Sequence, residues 1–324
     1  MEAIAAAGAG RMGRGIAVVF AYAGHPVTLV DLKTRTPDDA ARVRGEAMEE
    51  IEQTLSMLAA IGMMDEAAVA PILARVAFAA APEAADALAG ADVIFEGVPE
   101  TKEAKAEAFA GLSAMTRADA IIASTTSTML ADELQGMVTP PGRFLNAHWL
   151  NPAFLVPLVE VSPGAGTDPA VTERLVGLLE GIGKVPVVCK ASPGFIVPRL
   201  QALAMNEAAR LVEEGVASAE DIDKATKYGF GFRFAVLGVL EFIDWGGGDI
   251  LFHADRYMSE ALGTDRYAAP KVIEDNMAAG HIGLKTRRGF LNYAGMDVSA
   301  YQRERLGAFA AMLKHLGAAR QPVL

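Results

Sequence analysis

Three polar residues stand in or beside apolar stretches where a charged or hydroxyl side chain needs a reason. Ser127 follows Ile121-Ile122-Ala123-Ser124-Thr125-Thr126, His148 lies within Leu145-Asn146-Ala147-His148-Trp149-Leu150, and Glu160 lies within Leu158-Val159-Glu160-Val161. A carboxylate in a buried strand costs several kcal/mol unless it is paired. Glu160 therefore calls for a cationic or hydrogen-bonding partner, and His148 is the nearest one. A histidine oriented by a carboxylate is a general base suited to neutral pH, and donors near it can steady an oxygen that becomes a carbonyl. Oxidation of a secondary alcohol needs these groups, because a proton must leave the hydroxyl as hydride leaves the same carbon. Taken singly, each residue also has a structural explanation: His148 as a satisfied core histidine, Ser127 as the cap of the next helix.

The cofactor for such a reaction is indicated near the N-terminus. Gly8-Ala9-Gly10-Arg11-Met12-Gly13 follows an apolar strand and opens a helix. In that setting Gly8 permits a tight turn, Gly10 lets the backbone approach a pyrophosphate and Gly13 lets helix and strand pack closely, with the helix N-terminus facing the phosphates. Arg11 and Met12, inside the loop, are candidate contacts with them. Asp31 ends the second apolar run, where a carboxylate would bond the adenosine ribose hydroxyls and repel a 2′-phosphate. This predicts NAD rather than NADP, with Lys33 and Arg35 as the counter-signal.

Short apolar runs at 3–7, 26–30, 76–79, 92–97, 120–124, 144–148, 155–161 and 185–189 alternate with segments of helical period. That pattern predicts an α/β fold, a Rossmann-type doubly wound and mostly parallel sheet, with a helical insert opening at Thr36 and Pro37. After Lys190 the strand signal ends and only helical patterns follow, at 195–214, 219–228, 237–243, 250–262, 268–279 and 301–316. The expected organisation is an NAD-binding domain over residues 1–190 and an all-helical substrate and dimerisation domain over 191–324. Cys189 reads as strand interior.

The 324 residues carry 29 Lys plus Arg against 40 Asp plus Glu, a formal net charge of -11, with no long basic run. An acidic total argues against nucleic-acid or membrane-surface partners, which require concentrated positive charge. The longest stretches without a charged residue, 15–30 and 144–159, fall short of the ~18 apolar residues that span a bilayer. Glu2, Arg11 and Arg14 interrupt what could pass for a signal peptide. One cysteine allows no intrachain disulfide or cysteine-cluster metal site, so no metal is expected and a reducing cytoplasm is the expected compartment.

Together the glycine loop, Ser124-Thr125-Thr126-Ser127, His148-Trp149-Leu150-Asn151-Pro152, Val159-Glu160-Val161 and Ser192-Pro193-Gly194-Phe195-Ile196-Val197 resemble the L-3-hydroxyacyl-CoA dehydrogenase family over nearly the whole chain. The resemblance implies that His148 is the general base, Glu160 its orienting partner and Ser127 a ligand of the reacting oxygen. It places Glu100 and Lys105 near the nicotinamide ribose, Asn151 at the substrate, and implies a homodimer. Two positions depart from the family: Thr125 stands for an Asn, and Pro198 stands for the catalytic Asn after Gly-Phe-Ile-Val, leaving Gln201 and Asn206 as the nearest amides. The segment Gly229-Phe230-Gly231-Phe232-Arg233-Phe234 and the last helix resemble the branch holding gulonate dehydrogenase, lambda-crystallin and carnitine dehydrogenase. There Arg233 could grip a free carboxylate, or pair with Asp244 or Glu241. The leading expectation is a 3-hydroxybutyryl-CoA-type dehydrogenase, with a free 3-hydroxy acid dehydrogenase and a non-catalytic NAD-binding crystallin-like protein as alternatives.

Overall fold

In the computed structural model, which describes residues 1–323, the eight apolar runs form one sheet. Its strands are β1 (Ile4–Ala7), β2 (Val27–Val30), β3 (Val76–Ala79), β4 (Val93–Glu96), β5 (Ile121–Ser124), β6 (Phe144–Trp149), β7 (Leu158–Pro163) and β8 (Val185–Val188), in the order β3-β2-β1-β4-β5-β6-β7-β8. All pairings are parallel except β6 with β7. The chain leaves β1 in one direction for β2 and returns on its other side at β4, which makes the carboxyl end of β1 the switch point where such sheets bind ligands.

Parallel strands covered on both faces must be apolar on both faces. Ile4 and Ala6 enter one core with α1 (Arg11–Tyr22), α2 (Pro37–Ala60) and α3 (Val69–Leu73). Ala5 and Ala7 enter the other with α4 (Ala84–Ala89), α5 (Lys102–Met115) and α6 (Ala131–Gln135). The insert helix α2 starts as its sequence dictates: the Thr36 hydroxyl accepts the Asp39 N–H, Pro37 is at the first position, and Asp38 and Asp39 lie in the first turn.

Strand β6 shows how a two-residue period sorts chemistry from packing. Leu145, Ala147 and Trp149 join the first core, Trp149 meeting Phe95 and Phe20 at ring separations of 5.6 and 6.2 Å. Phe144, Asn146 and His148 point to the opposite face. In register across the sheet, Ala7 stands beside Glu96, Glu96 beside Ser124, and Ser124 beside Asn146, so a polar row crosses the carboxyl end of the strands. The run read at 155–161 pairs only from Leu158, and Cys189 lies one residue past β8, an edge strand with Val185 and Val188 exposed, rather than in a strand interior.

Two units are distinguished, Met1–Ala204 and Met205–Leu324. Helix α7 (Pro169–Gly181) belongs to the first, and α8 (Val197–Glu213) begins in it. The second holds the helices α9 (Ala219–Ala225), α10 (Phe232–Phe234), α11 (Val239–Gly246), α12 (Gly248–Leu262), α13 (Lys271–Ala278) and α14 (Val298–His315), with a π-helical turn over Thr226–Gly231. Its buried anchor is Asp244, which accepts the N–H groups of Phe290 and Leu291 at 2.9 and 2.8 Å and the Tyr293 hydroxyl at 3.2 Å.

Candidate active site

The antiparallel β6–β7 pair places His148 opposite Glu160. His148 Nδ1 lies 2.8 Å from Glu160 Oε2. The second oxygen, Oε1, accepts the N–H groups of Ile196 and Val197, both at 2.8 Å, at the entry to α8. One buried carboxylate thus holds the imidazole and a helix N-terminus together. A carboxylate accepts, so Nδ1 carries hydrogen and Nε2 is left with its lone pair, the tautomer a general base requires. Ser192-Pro193-Gly194 turns the chain so that the Phe195 ring stacks on the imidazole, with centroids 5.3 Å apart and planes at 15°. Burial and the Glu160 charge push the Cys189 thiol up, away from thiolate chemistry.

Ser127 is exposed, in the loop after β5. The next helix is capped by Leu130, so Ser127 is not its cap. Its loop is held from two sides: Asn146 Nδ2 donates to the Met129 carbonyl at 2.9 Å, and one oxygen of Glu100 accepts the Thr126 hydroxyl, the Ser127 N–H at 3.1 Å and the Thr128 hydroxyl at 3.2 Å. Burial alone would raise Glu100, but these bonds and the nearby Lys105 ammonium hold its carboxyl below the usual carboxylate range. The Oδ1 of Asn146, on the His148 face of β6, is buried without a partner among the described residues. Neither Asn146 nor Glu96 stood out in the sequence; the only signal was a polar residue at a strand end, repeated in neighbouring strands.

The glycine loop fits a dinucleotide. Gly8 has φ +126°, and a Cβ on it would sit 2.7 Å from the Gly97 carbonyl oxygen; a Cβ on Gly13 would come within 2.0 Å of the Gly8 carbonyl. A Cβ on Gly10 would meet nothing within 4 Å, so its missing side chain keeps open the space in front of α1, whose first turn has no side-chain cap. Arg11 is exposed at that end and Met12 packs back on the core. Asp31 is 4% exposed and accepts from Arg35 Nε at 2.5 Å and from the Lys33 N–H at 3.3 Å, so the arginine that stood as a counter-signal is tied to the carboxylate it would oppose. A cavity of about 400 Å³ extends from Arg11 and Arg14 past Glu50 and Thr54 to Asn151 and Phe154.

Pro198 is the second residue of α8, where its missing N–H costs nothing. Gln201 and Asn206, farther along α8, are exposed. In the second unit Arg233 is exposed on α10, its guanidinium 5.4 Å from the centre of the Phe242 ring. Neither acid named as its partner is paired with it: Asp244 is engaged as described, and Glu241 accepts from Tyr301 and from Arg305 at 2.8 Å.

A Rossmann-type sheet with this loop and acid, and a histidine–carboxylate pair at the same end of the strands, defines an NAD-dependent dehydrogenase. Residues 3–192 match the family model "3-hydroxyacyl-CoA dehydrogenase, NAD binding domain" and residues 194–293 its "C-terminal domain"; the chain belongs to that family. It is 32% identical to 5-formyl-3-hydroxy-2-methylpyridine 4-carboxylate 5-dehydrogenase of Mesorhizobium japonicum over 315 residues, 97% of either chain. It is 33% identical to 3-hydroxybutyryl-CoA dehydrogenase of Bradyrhizobium diazoefficiens over 289 residues, 89% of this chain and 94% of that one. A solved 3-hydroxyacyl-CoA dehydrogenase from Archaeoglobus fulgidus superposes with a TM-score of 0.76 at 28% identity, covering 98% of this chain and all of the other. The protein is an oxidoreductase, and NAD is its cofactor. No helix among the described residues is long and apolar enough to cross a membrane.

Proposed function

We propose that the protein oxidises the hydroxyl of a 3-hydroxyacyl thioester of the 3-hydroxybutyryl-CoA kind, with His148 as general base. The observation that carries the reading is the 2.8 Å contact between His148 Nδ1 and Glu160, which directs the free Nε2 lone pair away from the carboxylate. NAD, when bound, supplies the hydride acceptor. Gly8, Gly10, Arg11, Met12 and Gly13 would hold its pyrophosphate and Asp31 its adenosine ribose, while Glu100 would serve the nicotinamide ribose. His148 takes the hydroxyl proton, Glu160 offsets the positive charge that results, and Ser127 donates to the oxygen as it becomes a carbonyl. Asn151, at the end of the cavity, contacts the substrate. The functional division falls at 190/191. Exposed Leu200, Leu203, Met205 and Val212 on α8 support a homodimer, and the lone cysteine suits a reducing cytoplasm.

A second reading, a free hydroxy acid as substrate, is favoured by the last helix. The family model ends at residue 293, before α14, and the pyridine carboxylate dehydrogenase, whose named substrate is a free acid, matches nearly the whole chain. Helix α14 supports the turn that carries Arg233: Phe309 packs on Phe232, and Tyr301 and Arg305 hold Glu241. Arg233 would grip the carboxylate. NADH formation from 3-hydroxybutyryl-CoA, 3-hydroxybutyrate, gulonate and carnitine tests both readings. Turnover of the thioester alone supports the first, turnover of a free acid alone the second, and turnover of none overturns both.

A further inference from the structure

Glu96 ends β4 with no exposed surface, and Lys105 on α5 is 1% exposed. Lys105 Nζ sits between the two Glu96 oxygens at 2.9 and 3.0 Å. The Ser124 hydroxyl donates to Glu96 at 2.7 Å and the Val98 N–H at 2.6 Å, so every face of this carboxylate is engaged within the protein. On its other side the ammonium stands 3.4 Å from Glu100 Oε2. The other Glu100 oxygen holds Thr126, Ser127 and Thr128. The charges run minus, plus, minus from the sheet to the Ser127 loop, and only the last of them reaches solvent.

We propose that Glu96, acting through Lys105, is a positioning residue that fixes Glu100 and thereby the backbone of the Ser127 loop before any dinucleotide or substrate arrives. Lys105 is too enclosed to serve as a ligand itself; its third neighbour is Glu100, and its effect on the reaction passes through that carboxylate. Neutralising Glu96 alone leaves Lys105 without its bidentate partner, and the ammonium then draws Glu100 toward itself and off the loop. Removing both buried charges keeps the interior neutral but leaves Glu100 with no cation to hold it.

That difference separates positioning from plain structural support. The double variant Glu96→Gln/Lys105→Met is expected to melt near the wild-type temperature, and amide hydrogen exchange of the protein without cofactor is expected to quicken about tenfold at Ser127–Met129 while Ile121–Ser124 stays protected. Turnover should fall at least tenfold, and the KM for NAD should rise as well, since Glu100 serves the nicotinamide ribose. A stable double variant with unchanged exchange and turnover overturns the proposal. Should that variant fail to fold, Glu96→Asp, which keeps the charge and withdraws it by one methylene, should still quicken exchange at 127–129; no change there also overturns it. The role rests on the reading of Ser127 and Glu100 given above, but the exchange measurement uses neither substrate nor cofactor. A wrong assignment of His148 would appear in His148→Ala turnover and leave the exchange result standing.

Discussion

Glu160 divides its two oxygens between His148 and the start of α8: Oε2 lies 2.8 Å from Nδ1, and Oε1 takes the N–H groups of Ile196 and Val197. The same carboxylate sets the tautomer of the imidazole and anchors the segment that lays Phe195 against it. In Glu160→Gln the amide oxygen satisfies the two backbone donors, so the NH₂ group must face Nδ1. Nδ1 then becomes the acceptor, Nε2 carries the proton, and the imidazole can no longer take one from a substrate. Turnover should fall by about 10²–10⁴, as for His148→Ala, the usual contribution of a positioned general base. NADH binding, read by fluorescence, should persist in both. A Glu160→Gln enzyme within tenfold of wild type would refute the tautomer argument.

Asp31 and Arg35 make a prediction about cofactor choice. While Asp31 stands, its charge repels a 2′-phosphate and occupies the arginine that could bind one. Asp31→Ala removes the repulsion and releases Arg35, so the ratio of kcat/KM for NAD to that for NADP should narrow at least tenfold, roughly 1.4 kcal/mol or more. Asp31→Ala/Arg35→Ala should recover much of the discrimination against NADP.

Asp255 on α12 is buried, and burial alone pushes its carboxyl up. Its folded-state value lies above the unfolded one, so the native state binds more protons in between, and stability is lost as pH rises through the folded value. Asp255→Asn should therefore raise the thermal midpoint at pH 7 by a few degrees. The gain should vanish below about pH 4, where the carboxyl is protonated in both states. An equal shift at both pH values would show that the charge is not the cause.

Pro198 has neither an N–H nor a side-chain donor, and the next amide along α8, Gln201, is exposed. If the lost amide is a missing donor to the reacting oxygen, Pro198→Asn should raise turnover of 3-hydroxybutyryl-CoA about 10-fold or more, the value of one hydrogen bond of roughly 1.5 kcal/mol to a charged oxygen. Steady-state kinetics on the thioester and the free acid measure it. No gain on either substrate would mean that Ser127 and His148 suffice.

The strands were legible because a covered parallel sheet demands short apolar runs: each of the eight overlaps one of the segments expected at 3–7 through 185–189, with β6 running past its segment to Trp149 and β7 past its own to Pro163. Asp31, His148 and Glu160 were legible for the opposite reason, as charges or polar groups where apolar residues should be. Glu96 was hidden because its partner Lys105 lies on a helix, and a run ending in Phe95-Glu96-Gly97 reads as a strand leaving the core. The two backbone donors to Glu160 were hidden too, since a main-chain N–H has no signature in the sequence. The alternative to a ligand role for Arg233, a pairing with Asp244 or Glu241, does not form, because nearness in sequence says nothing about which competitor wins: Tyr301 and Arg305, on a helix far along the chain, hold Glu241 instead.

The antiparallel pairing of β6 with β7 has a consequence for how the molecule assembles. His148 and Glu160 are 12 residues apart in the chain, whereas Ala3 must find Asp92 across 89 to bring β1 beside β4. Closing the longer loop costs about 2 kcal/mol more in chain entropy. His148 and Glu160 meet within one antiparallel strand pair, by a contact of low order, while the glycine loop packs against Gly97 only when the distant β4 docks beside β1. Damage to the N-terminal strand should therefore abolish dinucleotide binding directly, and should reach His148 and Glu160 only through the packing of Trp149 on Phe20 and Phe95.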